Sequence, residues 1–326
     1  MILVTGATGF LGAEVAKELV LRGNLIRCSK RASSKLPVLL QPYSNKIEWV
    51  TADLMDADAL EEALEGVTHV YNCAAFVSLK AADKDAMIRT NVTGTANLVD
   101  LCNYRGIRVV HTSSVAAVGE APAGEQITEK HHLDPTTETD GYAISKLESE
   151  MEVWRGIAEG LDAVIVNPTI IIGASAGTAG SGQIFETVRK GLKYYTQGTM
   201  GFVDVQDVAK CMIALMESDI SGERYIINGE NRAYKQLFEE IANCMHVEAP
   251  SKLAKPWMME VAWRGASFWG ALTGSDPAID KTSAKAASVT RVFDTSKIKE
   301  AIGYQFRPIS ETIKEVCAAL TAQAGK

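Results

Sequence analysis

The chain has 326 residues and carries 33 Lys and Arg against 40 Asp and Glu, which gives a formal net charge of −7 with neutral histidines. This balance argues against nucleic-acid binding, because phosphate backbones are held mainly by an excess of Lys and Arg. With 47% hydrophobic and 22% charged residues, the composition is that of an ordinary globular protein, and it argues against a disordered chain or a bundle of membrane spans.

Short, β-branched apolar runs alternate with helical patterns through the first half of the chain. Runs without polar alternation suit strands buried on both faces, and the roughly 15 to 30 residues between them suit crossover helices. The sequence therefore predicts an α/β protein of the Rossmann type with a doubly wound parallel sheet. The predicted strands are residues 2–4, 25–28, 47–50, 69–73, 109–112 and 163–166. Because the first run starts at residue 2, a signal peptide has no room, and we expect a cytoplasmic protein.

The regular alternation ends near Thr169. Residues 173–182 are rich in Gly, Ala and Ser and predict a mobile loop, whereas residues 201–225 predict a strand and a helix that return to the sheet. We therefore expect two units. One is a cofactor-binding Rossmann domain of residues 1–168 plus about 201–230, and the other is a smaller, mostly C-terminal substrate lobe of about 169–200 plus 231–326.

The stretch from Trp257 to Trp269 is the part of the chain densest in aromatic residues. Its polar members Glu260 and Arg264 lie four residues apart, and apolar residues cover most of the remaining helix surface. This pattern indicates a packed helix of the second lobe, a wall of a substrate pocket or a helix on a membrane surface. It cannot cross a bilayer, because it has fewer than about 18 uninterrupted apolar residues.

The first predicted strand ends in a glycine-rich turn, and a helical pattern follows at once. A strand before and a helix after are the context in which such a glycine triplet predicts a dinucleotide site. Gly6 allows the tight turn, Gly9 lets the main chain approach a pyrophosphate, and Gly12 permits close helix packing. The amides at the start of the helix then face the anion. We expect cofactor contacts from Gly6, Thr8, Gly9, Phe10, Leu11 and Gly12.

The end of the second strand indicates which dinucleotide binds. An acidic residue there would accept hydrogen bonds from the ribose 2′-hydroxyl of NAD(H), but residues 27–35 contain none. They contain instead a cluster of four cations, Arg27, Lys30, Arg31 and Lys35. Because guanidinium and ammonium groups bind phosphate, the sequence favours NADP(H) over NAD(H), with Arg31 as the main contact and Lys30 beside it.

Two further strand ends predict cofactor contacts, because ligands bind at the carboxyl ends of the strands in such sheets. Asp53 and Leu54 follow the third strand, and Ala74 and Ala75 follow the fourth. Asp53 could accept a hydrogen bond from an adenine amino group, or it could cap the helix predicted at residues 54–64. The small side chains of Ala74 and Ala75 would let a cofactor lie close to the main chain.

Residues suited to proton transfer follow the fifth strand. Ser114 stands at the strand end, and Tyr142 and Lys146 lie four residues apart, on one face if this segment is helical. A nearby ammonium and a positively charged nicotinamide ring would lower the pKa of Tyr142 from its usual value of about 10. Tyr142 would then exchange a proton with a carbonyl or alcohol oxygen, to which Ser114 donates a hydrogen bond.

These motifs, in this order, resemble those of the extended short-chain dehydrogenase/reductase family, also called the NAD-dependent epimerase/dehydratase family. The resemblance covers nearly the whole chain, and further matching motifs are residues 91–95, 112–119, 167–169 and 202–209. It implies that Ser114, Tyr142 and Lys146 are catalytic and that Lys146 also binds the nicotinamide ribose. It also implies that Asn91 supports the site. Pro168 and Thr169 are implied to line the nicotinamide side.

Within the family, the chain is most similar to the branch of dihydroflavonol reductases, cinnamoyl-CoA reductases and 3β-hydroxysteroid dehydrogenases. Thr112-Ser113-Ser114 stands where sugar-nucleotide dehydratases carry Thr-Asp-Glu, and the basic end of the second strand departs from epimerases that bind NAD tightly. The resemblance implies hydride transfer between NADP(H) and the carbonyl or alcohol group of a small, fairly apolar substrate. A nucleotide-sugar epimerase with retained NAD is the alternative, and a non-catalytic dinucleotide sensor is less compatible with intact catalytic residues. We expect no metal site, and monomers and homodimers are both usual for the family.

Overall fold

A computed structural model of the protein describes residues 1–78, 81–122, 124–135, 140–255, 257–261, 263–264 and 288–324. The strands in these ranges are β1 (Ile2–Thr5), β2 (Ile26–Lys30), β3 (Ile47–Thr51), β4 (His69–Asn72), β5 (Arg108–Thr112), β6 (Ala163–Pro168), β7 (Ile170–Ile172), β8 (Tyr194–Tyr195), β9 (Thr199–Asp204), β10 (Glu223–Ile227), β11 (Glu230–Ala233) and β12 (Lys252–Leu253). The main α-helices are α1 (Phe10–Leu21), α2 (Ala57–Ala63), α3 (Lys84–Arg105), α4 (Gly141–Ala158), α5 (Gly182–Arg189), α6 (Val205–Met216), α7 (Tyr234–Met245), α8 (Ser296–Ile302) and α9 (Ile309–Ala324).

Seven of the strands form one parallel sheet in the order β10-β6-β5-β4-β1-β2-β3. All six strands expected from the first half of the chain are in it, which confirms the predicted α/β fold with a doubly wound parallel sheet. The strand order reverses between β1 and β4. The carboxyl ends of these two strands therefore flank the crevice in which such sheets bind their ligands.

Helices cover both faces of the sheet, because their apolar residues recur at helical spacing. Leu11, Val15 and Leu19 of α1 pack with α6 on one face. On the other face, α3 and α4 pack against each other, and Leu98 and Val153 join the core there.

A second hydrophobic cluster lies outside the main sheet. It surrounds the small sheet β11-β9-β7 and includes Phe185 of α5, Ile241 of α7 and Val316 of α9. The prediction that residues 201–225 return a strand and a helix to the main sheet is therefore only half right. Their helix, α6, does pack on the main sheet, but β9 pairs with β7 and β11, and it is β10 that extends the main sheet beside β6.

The amino-terminal end of α6 is bound by the C-terminal part of the chain. Asp204 caps α6 and accepts hydrogen bonds from Thr312 (2.7 Å) and Arg307 (3.3 Å). Asp207, one turn later, accepts from the Tyr304 hydroxyl (2.8 Å) and from the Arg307 amide (2.9 Å). Both carboxylates are almost fully buried, at 1% and 3% exposed. Helix α6 therefore connects the core of the main sheet to the second cluster.

The aromatic stretch that begins at Trp257 lies partly outside the described residues, which omit Phe268 and Trp269. Within them, residues 257–261 are helical, Trp257 is exposed, and Arg264 forms an ion pair with Glu260 as the spacing predicts. None of the helices in the described ranges is long and apolar enough to cross a membrane.

Candidate active site

The turn between β1 and α1 has the close main-chain approach that its glycines predict. Gly6 has a φ of +67°, and a Cβ placed on it would lie 2.6 Å from the Ala74 nitrogen in the loop after β4. A Cβ on Gly12 would lie 2.3 Å from the Gly6 carbonyl oxygen. Residues without a Cβ are therefore required at both positions for β4 and α1 to close around the turn.

The start of α1 presents free amides beside this turn. Gly9 is the N-cap, and the first intrahelical bond runs from the Ala13 amide to the Gly9 carbonyl oxygen (3.1 Å). The amides of residues 10–12 precede that bond and have no partner within the helix. Together with the helix dipole they favour an anion, so the residues present fit the pyrophosphate of a dinucleotide. The predicted contacts Thr8, Phe10 and Leu11 all lie in this turn or in the first turn of α1.

The end of β2 carries fewer available cations than the sequence predicts. Arg27 is paired with Glu48 (2.9 Å), because the parallel register of β2 and β3 places these two residues side by side. Its inclusion in the phosphate-binding cluster is therefore wrong. Arg31 and Lys35 are exposed, Lys30 is half-buried, and none of the three forms an ion pair within the described part of the chain.

Asp53 does not cap the following helix. Helix α2 begins after Asp56, whose side chain accepts from the Ala59 amide (3.1 Å) and so provides the cap. Asp53 accepts from the Met55 amide (3.0 Å) and is half-buried. Its other carboxylate oxygen has no partner in the described residues, so this structure leaves it able to accept from an adenine. Leu54, next to it, packs beneath α3.

The structure brings Ser114, Tyr142 and Lys146 together at the carboxyl end of β5. Asp140 caps α4 by accepting from the Ala143 amide (2.6 Å), so Tyr142 lies in the first turn and Lys146 one turn later on the same face. The Ser114 side chain lies beside the Tyr142 hydroxyl, close enough to lower its pKa. The Lys146 ammonium donates to the Thr112 carbonyl oxygen (3.0 Å), which leaves two of its three N–H groups for other acceptors.

Burial is the main influence on the pKa values in this cluster. Burial raises the pKa of Tyr142 above its usual value, and the Ser114 side chain offsets only part of that rise. Burial also lowers the pKa of Lys146 to about 8. Among the protein's own groups, burial therefore outweighs the influences that lower the Tyr142 pKa.

Asn91 supports the site without touching its three central side chains. It is 6% exposed on α3, where its Oδ1 accepts from the Phe76 amide (2.7 Å) and its Nδ2 donates to the Phe76 carbonyl oxygen (2.9 Å). Nδ2 also donates to Ser145 Oγ (3.3 Å), and Ser145 Oγ donates to the Tyr142 carbonyl oxygen (2.9 Å). Asn91 thus joins the loop after β4 to the catalytic helix, as a positioning residue.

Pro168 and Thr169 lie at the carboxyl end of β6, the strand next to β5. Pro168 is buried and pairs with Ile227 of β10. The Thr169 hydroxyl donates to the Asn228 side-chain oxygen (3.1 Å), and its amide donates to the Ile227 carbonyl oxygen (3.0 Å). Both residues therefore lie on the same edge of the sheet as Ser114, and the hydroxyl of Thr169 is already engaged by the end of β10.

A buried hydrogen-bond chain, which none of the sequence motifs indicates, lies under the glycine turn. The Ala74 amide donates to the Thr5 hydroxyl (3.2 Å), which donates to the Asn72 side-chain oxygen (2.7 Å). The Asn72 amide in turn faces Nδ1 of His111 (3.0 Å). Because this amide can only donate, the neutral imidazole carries its proton on Nε2. That buried nitrogen has no partner within the described residues.

The burial of His111 predicts that the stability of the protein falls in acid. Burial and the nearby Lys146 charge lower the pKa of His111 to about 3, whereas an unfolded histidine titrates near 6.5. Between these values the unfolded chain binds a proton that the folded chain does not, so stability is lost as the pH falls below about 6.5. When the pH falls from 6.5 to 4.5, the free energy of unfolding should decrease in the wild type and in His111→Gln. We expect the decrease to be about 2 to 3 kcal/mol smaller in His111→Gln. Urea unfolding at the two pH values measures this difference.

A suitable control is His246→Asn, which changes an exposed histidine with a φ of +57°, a conformation that Asn tolerates. This variant should lose as much stability in acid as the wild type. If His111→Gln and the wild type lose equal stability in acid, His111 is not the group that causes the loss.

Two buried carboxylates that were not among the predicted site residues connect further elements to the site. Glu14, 3% exposed on α1, accepts from the Ser175 hydroxyl (2.7 Å) and so connects α1 to residues 173–182. Glu150, 1% exposed on α4, is bound by Arg224 of β10 (2.8 Å). The spacing of Tyr142, Lys146 and Glu150 at i, i+4 and i+8 could have marked Glu150 as a residue on the same helix face.

Comparisons with known proteins agree with this geometry. The model of the NAD dependent epimerase/dehydratase family matches residues 2–228. A Synechocystis sp. protein, provisionally named as a dihydroflavonol 4-reductase, is 30% identical over 96% of the chain and 92% of its own length. The sterol demethylase protein B of Methylococcus capsulatus is 33% identical over 79% of the chain and 78% of its own length. The crystal structure of gox2253 superposes with a TM-score of 0.85 at 30% identity, covering 100% of this chain and 98% of that one.

Proposed function

The chain belongs to the NAD-dependent epimerase/dehydratase family of NAD(P)-dependent enzymes that act on carbonyl and CH–OH groups, and on that basis we propose that it is an NADP(H)-dependent carbonyl reductase or alcohol dehydrogenase. One observation carries the proposal. Ser114, Tyr142 and Lys146 meet at the carboxyl end of β5, at the same edge of the sheet as the glycine turn after β1.

Each of these residues has a role that its contacts support. The nicotinamide of NADP(H), when bound, supplies or accepts the hydride. Tyr142 gives a proton to the substrate carbonyl oxygen, or takes one from the alcohol, and its partner Ser114 donates a hydrogen bond to that oxygen. Lys146 keeps two N–H groups beyond its bond to Thr112, and these would bind the ribose hydroxyls and stabilise the tyrosinate when it forms.

A dehydratase reaction is less compatible with the site. It needs an acid and a base where this chain has Ser113 and Ser114. The Ser113 hydroxyl donates to Glu150 (2.6 Å) and is 3% exposed, so it is held within the protein behind the site. A reductase or dehydrogenase needs only the groups that are present.

The preference for NADP(H) rests on Arg31. It is exposed at the end of β2 and unpaired within the described residues, so its guanidinium is available for a 2′-phosphate. Arg31→Ala should raise the KM for NADPH about 10- to 100-fold, because a hydrogen bond to a charged group contributes about 1.5 to 3 kcal/mol. The KM for NADH should hardly change, and initial rates with both cofactors measure the difference.

Lys46→Ala provides the control for a general loss of positive charge. Lys46 is exposed and directly precedes the amino end of β3, whereas Arg31 follows the carboxyl end of β2. Its NADPH kinetics should match those of the wild type. A wild type that prefers NADH, or an Arg31→Ala variant with an unchanged KM for NADPH, would overturn the NADP(H) assignment.

We propose a small, fairly apolar substrate, bound with help from the second lobe formed by residues of about 169–200 and 231–326. The turn that begins at Ser114 supports this, because Val115 packs into an apolar cluster with Ile226 and Phe293, which Met200 also contacts. The names of the two relatives, a dihydroflavonol reductase and a sterol demethylase protein, point to apolar carbonyl or alcohol substrates as well.

A screen of aldehydes and ketones with NADPH, followed by the absorbance of the cofactor, tests the proposed reaction. Oxidation of NADPH with at least one carbonyl is the expected result. If the purified protein instead retains oxidised NAD and interconverts nucleotide sugars without net oxidation, the epimerase alternative replaces this proposal.

A further inference from the structure

Glu150 lies at the centre of a buried polar network directly behind the candidate active site. Its Oε1 accepts from Arg224 (2.8 Å) and from the Trp154 indole (3.2 Å). Its Oε2 accepts from the Ser113 hydroxyl (2.6 Å) and from the Asn167 side-chain amide (2.7 Å). Four donors therefore meet on one carboxylate, whose residue is only 1% exposed.

Two of these donors lead to Ser114. Ser113 precedes it in the chain, and the same Asn167 nitrogen that binds Glu150 also donates to the Ser114 carbonyl oxygen (3.0 Å). The main chain on both sides of Ser114 is therefore held by Glu150, directly or through Asn167. A shift of this carboxylate would move the Ser114 hydroxyl relative to Tyr142.

The other side of the network holds the segment that precedes the catalytic helix. Arg224 donates to the carbonyl oxygens of Glu129 (2.7 Å) and His131 (2.6 Å), in addition to its ion pair with Glu150. The network thus connects β10, the segment around residue 130, β6 and the end of β5 through one carboxylate on α4.

Glu150 also lies one helical turn after Lys146 on the same face of α4. The titratable groups around Lys146 are Cys73 at the end of β4, His111 on β5, and Tyr142 and Glu150 on α4. Burial raises the pKa of Cys73 to about 12 and lowers that of His111 to about 3, so both are neutral near pH 7. Glu150, which forms an ion pair with Arg224, is the acidic member of this group.

We propose that Glu150 is a positioning residue of the active site, which holds the Ser114 main chain in register with Tyr142 and places a fixed negative charge one turn behind Lys146. The inference rests on the proposed function, because it gives Glu150 a part in the same proton transfer. It goes beyond that function by assigning a role to a residue that touches neither substrate nor cofactor.

The test compares Glu150→Gln with Glu152→Gln, the same chemical change two residues away on α4, where Glu152 pairs with Arg155 (2.8 Å). A double variant, Glu150→Gln with Arg224→Gln, avoids leaving the buried guanidinium unpaired if the single variant does not fold. For each protein, kcat is measured against pH with NADPH and the best carbonyl found. The Lys146 side chain is titrated by NMR in protein labelled at lysine Cε, with its signal assigned by its loss in Lys146→Arg.

We expect Glu150→Gln to lower kcat about 10- to 100-fold, as displacement of a catalytic group by a fraction of an ångström to one ångström does. We also expect Lys146 to titrate at a lower pH, because an attractive charge has been removed. Since the charged lysine is the active form, the alkaline fall in kcat should move to lower pH as well. The double variant should show both changes, and Glu152→Gln neither.

An unchanged Lys146 titration and pH profile in folded Glu150→Gln would overturn the inference. Failure of both Glu150 variants to fold would also overturn it, because the carboxylate would then serve the fold rather than the site. If the wild type reduces no carbonyl, the proposed function fails, yet the NMR titration still decides whether Glu150 controls the charge of Lys146.

Discussion

Tyr142→Phe is expected to lower kcat about 10²- to 10⁴-fold, the range that a positioned general acid or base contributes. The substitution removes only the hydroxyl that lies beside Ser114 and that would exchange the proton with the substrate. No other hydrogen bond of the side chain is lost among the described residues, and the phenyl ring fills the same space. Thermal unfolding and NADPH binding should therefore stay close to those of the wild type.

The control for this prediction is Tyr104→Phe, which removes a tyrosine hydroxyl from a side chain that is 87% exposed on α3. It should leave kcat unchanged. If Tyr142→Phe keeps its turnover while binding cofactor normally, Tyr142 is not the proton donor, and the assignment of the reaction must be abandoned.

Gly12→Ala is expected to weaken NADPH binding about 100-fold or more. The added methyl group would lie 2.3 Å from the Gly6 carbonyl oxygen, and a main-chain atom cannot give way as a flexible side chain can. The start of α1 must move by roughly an ångström, which withdraws the amides of residues 10–12 from the pyrophosphate. Overpacking of this kind also costs about 1 to 3 kcal/mol of stability. Fluorescence titration with NADPH and thermal unfolding measure the two effects.

Gly9→Ala is the control, because it also replaces a glycine of this turn but does not place a methyl group against a main-chain atom at the distance found for Gly12. A Cβ there would lie 3.2 Å from the same Gly6 oxygen, a tight contact that a small adjustment relieves. We expect a much weaker effect on NADPH affinity than for Gly12→Ala. Equal affinities of Gly12→Ala and the wild type would show that α1 does not hold the pyrophosphate.

The sequence predicted those features that depend on neighbours along the chain. The parallel strands followed from apolar runs, and the glycine turn followed from the strand before it and the helix after it. Tyr142 and Lys146 were placed on one face by their spacing of four, because the helix repeat alone determines it. These expectations needed no knowledge of which strands pair.

The sequence could not show features that depend on distant parts of the chain or on burial in the fold. Arg27 was assigned to the phosphate cluster, but the register of β2 and β3 gives it Glu48 as a partner, and register is not visible in the sequence. The alternative left open for Asp53, an adenine contact or a helix cap, is decided against the cap only by the path of the chain, which makes Asp56 the N-cap. The fall expected in the Tyr142 pKa includes the effect of a bound nicotinamide and stays a prediction, whereas the opposing effect of burial is visible only in the fold.

The helix α6 has a consequence for attempts to exchange substrate specificity among relatives. Its buried Asp204 and Asp207 are satisfied by Tyr304, Arg307 and Thr312, which enter from the far end of the chain. A chimera that joins the second lobe of another protein to this Rossmann half would leave Asp204 and Asp207 buried without their hydrogen-bond donors. Such a chimera must therefore retain Tyr304, Arg307 and Thr312 together with α6, instead of being divided at the boundary between the two sheets.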